Sequence, residues 1–372
     1  MSRLATPEGT LRYARRMQPP CVPEHFRAWG PEEDRVFQFA SLGLESYAGL
    51  NDEDCDRLYR DGVMQAVRGG INVIDSAINY RHMRSERALG RGLAELFEGG
   101  EASRDEIFVM SKGGYLPFDG SVPADVAGYL KETYIATGIL RPEDVVDECH
   151  SMAPRFLEDQ LGRSLRNFGL EALDCYFLHE PERQLQRFSQ DELDARMEEA
   201  FRFLESAVED GRIGFYGLAT WNGLRVKPDA AGHLSLARIE AAARRAGGEG
   251  HHLQFLQVPY NLGMPEALTL PTQVLDGQRV SLLEAAAQLG IAVMASVPLL
   301  QAQVLPHVPP RFHDRMPGLS TSGQRALQFV RSTPGVLTAL VGMKSPSNIQ
   351  ENCQLAAVKP LGETEFLGLL ND

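Results

Sequence analysis

An α/β fold of the (β/α)8 TIM-barrel class is what the chain predicts, with an N-terminal arm over residues 1–35 and a long insertion, 113–152, after the third strand. Three observations carry that expectation. Eight short stretches, from Val36 onward, are apolar on nearly every residue rather than on alternate ones, as in parallel strands covered on both faces. Each is followed by a stretch with helical spacing, which is the count of a closed barrel. The rival, an open doubly wound sheet, would place G-x-G-x-x-G after its first strand, and that signature is absent.

Taken in order, residues 1–35 lack a clear period. Pro7, Pro19, Pro20, Pro23 and Pro31 interrupt any long element, so this segment reads as an arm lying on the main body. The barrel proper spans 36–372. Its expected strands are Val36–Leu44, Ile71–Ala77, Ile107–Lys112, Leu173–His179, Ile213–Ala219, Phe255–Pro259, Ala292–Val297 and Thr338–Gly342. The expected helices are Asp52–Arg68, Ser85–Phe97, Ala153–Phe168 and Asp191–Asp210, then Leu234–Ala246, Val280–Leu289, Ser322–Arg331 and Ser347–Ala357. Several open on Asp or Ser and several stop near Gly69, Gly169, Gly211, Gly247 or Gly290, as capping requires. The 113–152 interval is too long for an ordinary βα loop. It carries a helical piece around Asp125–Thr137 and reads as a lid or wall on the catalytic rim, with a plain surface elaboration as the alternative.

Composition narrows the function classes. The chain has 372 residues, and its formal net charge of −13 argues against a general nucleic-acid binder, which needs clustered Lys and Arg. The five cysteines (Cys21, Cys55, Cys149, Cys175, Cys353) are scattered, odd in number and without C-x-x-C, which fits reduced thiols. There is no apolar leader-like segment at the start, and the longest apolar run, near Gly290–Leu300, is too short to span a bilayer. The expectation is a cytoplasmic protein with no membrane and no nucleic-acid partner.

Four polar residues stand at or just past the ends of the second, third and fourth strands: Asp75, Tyr80, Lys112 and His179. That is the rim where parallel barrels place their chemistry. A lysine closing a buried strand needs a counter-charge, and Asp75 is one strand away. An ammonium beside a phenol is expected to draw the tyrosine down from its ordinary value of ~10, making it a proton donor to a carbonyl oxygen. His179 would hydrogen-bond the same oxygen. Read singly, these residues are a structural ion pair and a satisfied core histidine.

Together with their surroundings they resemble the aldo-keto reductase superfamily. The resemblance rests on Gly70–Tyr80 with Ser85-Glu86 and Gly90, on Met110-Ser111-Lys112, and on Leu178-His179. It continues through Glu209-Asp210-Gly211-Arg212-Ile213 and from Val341-Gly342 to Glu351-Asn352, in the family's order over roughly residues 36–358. It implies a barrel that binds NADP(H) without a Rossmann domain. Tyr80 would be the general acid, Lys112 and Asp75 would tune it, and His179 would place the carbonyl. By position, Ser46, Thr220, Gln257, Ser296, Leu299 and Gly342 would be cofactor-binding, with Thr220 and Ser296 at places expected to meet the nicotinamide and Gln257 on its carboxamide. Lys344, Ser345, Asn348, Glu351 and Asn352 would hold the adenosine 2′-phosphate. Departures also stand in this segment and around it. The family's Gly-Thr reads Glu45-Ser46, its Ser-Asn reads Ala219-Thr220, an aromatic ring is replaced by Ser296, and an arginine by Asn348. Trp221 offers a substitute stacking surface.

Other features point nowhere. Cys149-His150 and His251-His252 lack metal-ligand spacing, so no metal is expected. Phe118, Tyr129 and Tyr134 in the insertion would form either an apolar wall for a bulky substrate or the loop's own small core. The resulting expectation is an NADP-dependent oxidoreductase interconverting an aldehyde or ketone with its alcohol, its partner a small molecule. The alternatives are a barrel with a weakened cofactor site acting as a regulatory or partner protein, and a biosynthetic enzyme of altered reaction type.

Overall fold

Eight parallel strands close on themselves in a computed structural model that describes residues 2–370. In chain order they are β1 (Leu42–Glu45), β2 (Val73–Asp75), β3 (Phe108–Gly113), β4 (Leu173–His179), β5 (Ile213–Ala219), β6 (Leu253–Pro259), β7 (Ala292–Ser296) and β8 (Val336–Gly342). Every neighbour pairs in parallel, and β8 pairs with β1 to complete the ring. Eight helices alternate with them: α1 (Glu53–Arg68), α2 (Arg84–Glu98), α3 (Pro154–Phe168), α4 (Gln190–Glu209), α5 (Leu236–Gly247), α6 (Leu282–Gln288), α7 (Ser322–Ser332) and α8 (Pro346–Gln354).

Local chemistry explains the helix starts. Asp52 caps α1 by accepting from the Cys55 N–H, Ser189 caps α4, Ser281 caps α6 and Thr321 caps α7. Ser189 and Ser281 each close a reciprocal box with a glutamate three residues on. Gly90 on α2 faces the backbone of Phe168 so closely that an added Cβ would run into it, which lets α2 and α3 touch.

The first strand is where expectation and structure part. Val36–Leu44 is not one strand but two, broken at Ser41. Phe37–Ala40 pairs antiparallel with Phe26–Trp29, and only Leu42–Glu45 joins the barrel. Both halves are buried, so continuous hydrophobicity hides the corner. This hairpin therefore straddles the expected boundary at residue 35. Its Phe37, Phe39 and Trp29 meet Phe108, Phe215 and Phe255 from inside the barrel, with Trp29 and Phe255 centroids 4.4 Å apart. An aromatic plug thus fills the end where the strands begin, and leaves the other end for chemistry.

The prolines of the first segment punctuate rather than forbid structure. Pro7 opens a ten-residue helix, Pro7–Arg16, at the position where its missing N–H costs nothing. That helix is tied to the barrel by Tyr13, whose hydroxyl donates to the Val67 carbonyl at 2.5 Å, and by Arg12 and Arg16 on Glu106. The insertion contains a short helix, Val126–Leu130, running into a wider turn, Lys131–Ile135. Among the described residues, no helix is long and apolar enough to cross a membrane.

Candidate active site

The register of the barrel brings the rim residues together. Glu45 lies opposite Asp75 on the β1–β2 ladder, and His179 opposite Ala219, which in turn faces Gln257. Lys112 stands two residues beyond Met110, the partner of Asp75, so its side chain points to the same interior and reaches back.

Lys112 Nζ donates to Asp75 Oδ2 at 2.5 Å and to the Ser76 carbonyl at 2.8 Å. The pair is sealed, with Asp75 1% and Lys112 2% exposed. The other carboxylate oxygen of Asp75 accepts from Gln257 Nε2 at 2.7 Å. Tyr80 lies over this pair, its ring centroid 4.7 Å from the ammonium, and its edge meets His179 at a centroid separation of 5.9 Å. All of Tyr80, Lys112 and His179 line a cavity of about 380 Å³ at the mouth of the barrel. Asp75 sits just beneath it.

The expected acidification of Tyr80 is not what the surroundings produce. Burial, then the nearby Glu45 and Asp75 carboxyls, hold its phenol well above the ordinary value. The charge of Lys112 is matched by Asp75, so it cannot offset the loss of water. His179 is pushed well below its ordinary value, first by burial and then by Lys112, and stands as a neutral imidazole. His150, behind it, meets the His179 carbonyl through Nε2 at 2.7 Å and Gln184 through Nδ1 at 2.8 Å. Cys149-His150 thus backs the site and does not line the cavity.

The expected cofactor residues fall into two groups. Thr220, Gln257 and Ser296 line the cavity. Ser46 is buried beneath it and donates to Ser76 Oγ at 2.9 Å, while Leu299 packs against the outer core and does not face the cavity. Gly342, Lys344, Ser345, Asn348, Glu351 and Asn352 lie at the β8–α8 corner, outside the cavity lining. Ser345 sits at the N-cap of α8 without capping it, its hydroxyl turned to that of Ser347 at 2.8 Å. Glu351 is held by the Thr321 hydroxyl.

Two observations bear on whether a nicotinamide nucleotide fits. The Thr220 hydroxyl is buried without a hydrogen-bond partner beside the cavity, a state that a ligand amide or hydroxyl would relieve. At the β8–α8 corner, the first N–H groups of α8 lack a side-chain cap and have Lys344 beside them, as an anionic phosphate requires. The residues therefore fit the group.

Sequence reasoning missed several lining residues: Tyr47, Asn79, Tyr115, Glu180, Arg183, Val297 and Gln301. Glu180 and Tyr47 directly follow rim residues and were findable on that ground. Tyr115 is the part of the insertion that reaches the cavity. Phe118, Tyr129 and Tyr134 form the insertion's own core with Leu116, Leu140 and Phe156 instead of a substrate wall. No group of three or more His, Cys, Asp or Glu able to hold a metal ion occurs among the described residues.

Comparison with known proteins gives a consistent picture. The model of the aldo/keto reductase family matches residues 41–305, ending before β8. The 7-acetyl-epi-neemfruitin B aldo-keto reductase of Melia azedarach is 31% identical over 124 residues, 33% of this chain. That match spans 27% of the relative's length. An aldo/keto reductase from Klebsiella pneumoniae, solved with NADP and acetate, superposes with a TM-score of 0.58 at 20% identity, covering 90% of this chain and 92% of its own. The holo form of an aldo-keto reductase from Bacillus halodurans gives 0.60 at 16% identity, covering 94% and 96%. At these identities the superpositions speak to the fold.

Proposed function

The chain belongs to the aldo/keto reductase family, and we propose that it is an NADP(H)-dependent oxidoreductase interconverting an aldehyde or ketone with the corresponding alcohol. The observation that carries the proposal is the sealed Lys112–Asp75 pair directly under Tyr80, with His179 across the same cavity.

The nicotinamide, when bound, supplies the hydride. Thr220, Gln257 and Ser296 would meet its ring end, and Lys344, Ser345 and Asn348 with the start of α8 would hold the adenosine phosphate. The chain's own part is to bind the carbonyl oxygen and to deliver a proton to it. A neutral His179 and a protonated Tyr80 present two hydrogen-bond partners to one oxygen at the cavity wall. As negative charge develops there, the Tyr80 hydroxyl passes its proton, and the Lys112 ammonium beneath the ring favours the phenolate left behind. Burial keeps the phenol protonated, so in the reducing direction Tyr80 is the proton donor, and in the reverse direction it takes the proton back.

Tyr80→Phe tests this. Turnover of a carbonyl panel with NADPH should fall by at least about 10²-fold, while NADPH still shifts the tryptophan fluorescence, since the ring and the nucleotide residues remain. Normal turnover in that variant would show that another group donates the proton. Glu45, Ala219 and Ser296 motivate the second reading, a barrel with a weakened cofactor site, or none, that serves as a regulatory or partner protein. An absence of any fluorescence change at millimolar NADPH in the native chain would favour it.

A further inference from the structure

Three carboxyl groups reach the mouth of the barrel, and two of them have a cation. Asp75 has Lys112, and Glu180 accepts from Arg183 Nε at 3.2 Å and from the Tyr115 hydroxyl. Glu45 has neither. It is the last residue of β1, in register with Asp75, and it lines the cavity, yet its carboxyl makes no hydrogen bond or ion pair among the described residues. Both cations of the cavity are engaged elsewhere, Lys112 as described and Arg183 also by Asp147 at 3.0 Å.

Every element packed around Glu45 leaves that acid unmatched. Asp75 on β2 repels its charge and Lys112 on β3 attracts it, with burial the largest influence, and its carboxyl is lifted to about 7. Tyr59 on α1 and Tyr80 after β2 both register its field as neutral phenols. Tyr47 follows it in sequence, and His179, Glu180 and Arg183 lie across the cavity. Two of the lining groups are exposed aromatic residues, Tyr47 at 53% and Trp221 at 41%. An acceptor without a donor, in a cavity that also carries exposed aromatic rings, is an arrangement that takes up an organic ammonium.

We propose that Glu45 is a specificity-determining residue that receives an ammonium group carried beside the reacting carbon, so that the substrates are amino-carbonyl compounds and their amino alcohols. This rests on the reading of the cavity as the substrate site. A substrate carboxylate would meet Glu45 as a like charge and is disfavoured.

Calorimetric titration of the full chain with isopropanolamine, propylene glycol and lactate separates the possibilities, since these share a skeleton and differ in charge. At about pH 8.5 the amine should bind about tenfold tighter than the glycol and lactate weakest, the amine's advantage vanishing at about pH 5.5 as Glu45 takes up its proton. Glu45→Gln should erase the advantage at about pH 8.5, leaving no pH dependence, and improve lactate, while Glu45→Asp should keep part of the pH dependence. Retention of the preference in Glu45→Gln, or equal binding of lactate and amine by the native chain, overturns the proposal. So does loss of the preference on saturation with NADP⁺, which would assign Glu45 to the cofactor's pyridinium. The titrations need no turnover, so failure of the reductase reading, seen with Tyr80→Phe, is distinguishable from failure here.

Discussion

Lys112 and Asp75 are almost wholly removed from water, and each is tolerable only because of the other. Removing one leaves an uncompensated charge in a low-dielectric site. Lys112→Met should therefore cost about 3 kcal/mol or more, the usual toll for breaking a buried pair from one side. The double variant Asp75→Asn, Lys112→Met should regain most of that loss, because the amide can still accept from Gln257 Nε2 while no charge is stranded. Urea unfolding of the native chain, both single variants and the double gives the coupling directly. Turnover should stay lost in the double variant, since nothing then favours the phenolate of Tyr80. Recovery of turnover with stability would mean that the pair serves only the fold.

At the scale of elements, the strand ends were readable and their surroundings were not. Asp75, Lys112 and His179 terminate apolar runs, so their place on one rim follows from the parallel pattern alone. The partner state of Glu45 was invisible, because it depends on which cations other strands have already claimed. Val36–Leu44 looked like one strand because a buried corner has the same composition as a buried strand. The insertion aromatics were ambiguous for a related reason: an apolar ring in a loop fits either a substrate wall or a core. Tyr134 resolves this, being fully buried with its hydroxyl donating to the Pro117 carbonyl at 3.2 Å. Tyr134→Ala should empty that core at a local cost of about 3 kcal/mol, as truncation of a buried aromatic does. Hydrogen exchange should then quicken across residues 116–145 while β2 to β5 keep their protection, because the insertion packs chiefly on itself and on α3. Equal loss in the barrel strands would show that the insertion and the barrel unfold as one unit.

The whole molecule has two unlike ends, an aromatic floor and a polar cavity at the mouth. His25 illustrates the coupling. Its ring bridges the hairpin to the segment before β2, with Nε2 3.0 Å from the Gly70 carbonyl and Nδ1 3.1 Å from Ser41 Oγ. Burial, then the nearby Arg331 guanidinium, push it down to about 3. Below its ordinary value of 6.5 the unfolded chain takes up a proton at this residue and the folded chain refuses it. Protonation thus favours the unfolded state, and the contribution of His25 is complete above pH ~6.5 and is lost as the pH falls toward 3. About 1.4 kcal/mol is lost per unit, so roughly 2 kcal/mol has gone by pH ~5. His25→Gln keeps a donor and an acceptor at the site but cannot titrate. Buried carboxyls such as Glu45, whose raised value acts in the opposite sense, are common to both chains and cancel in the comparison. Urea unfolding of native and variant chains at about pH 7 and about pH 5 should show the variant's deficit shrinking by roughly 2 kcal/mol at the lower pH. A deficit of the same size at both pH values would mean that His25 takes up its proton as readily in the folded barrel as in the unfolded chain.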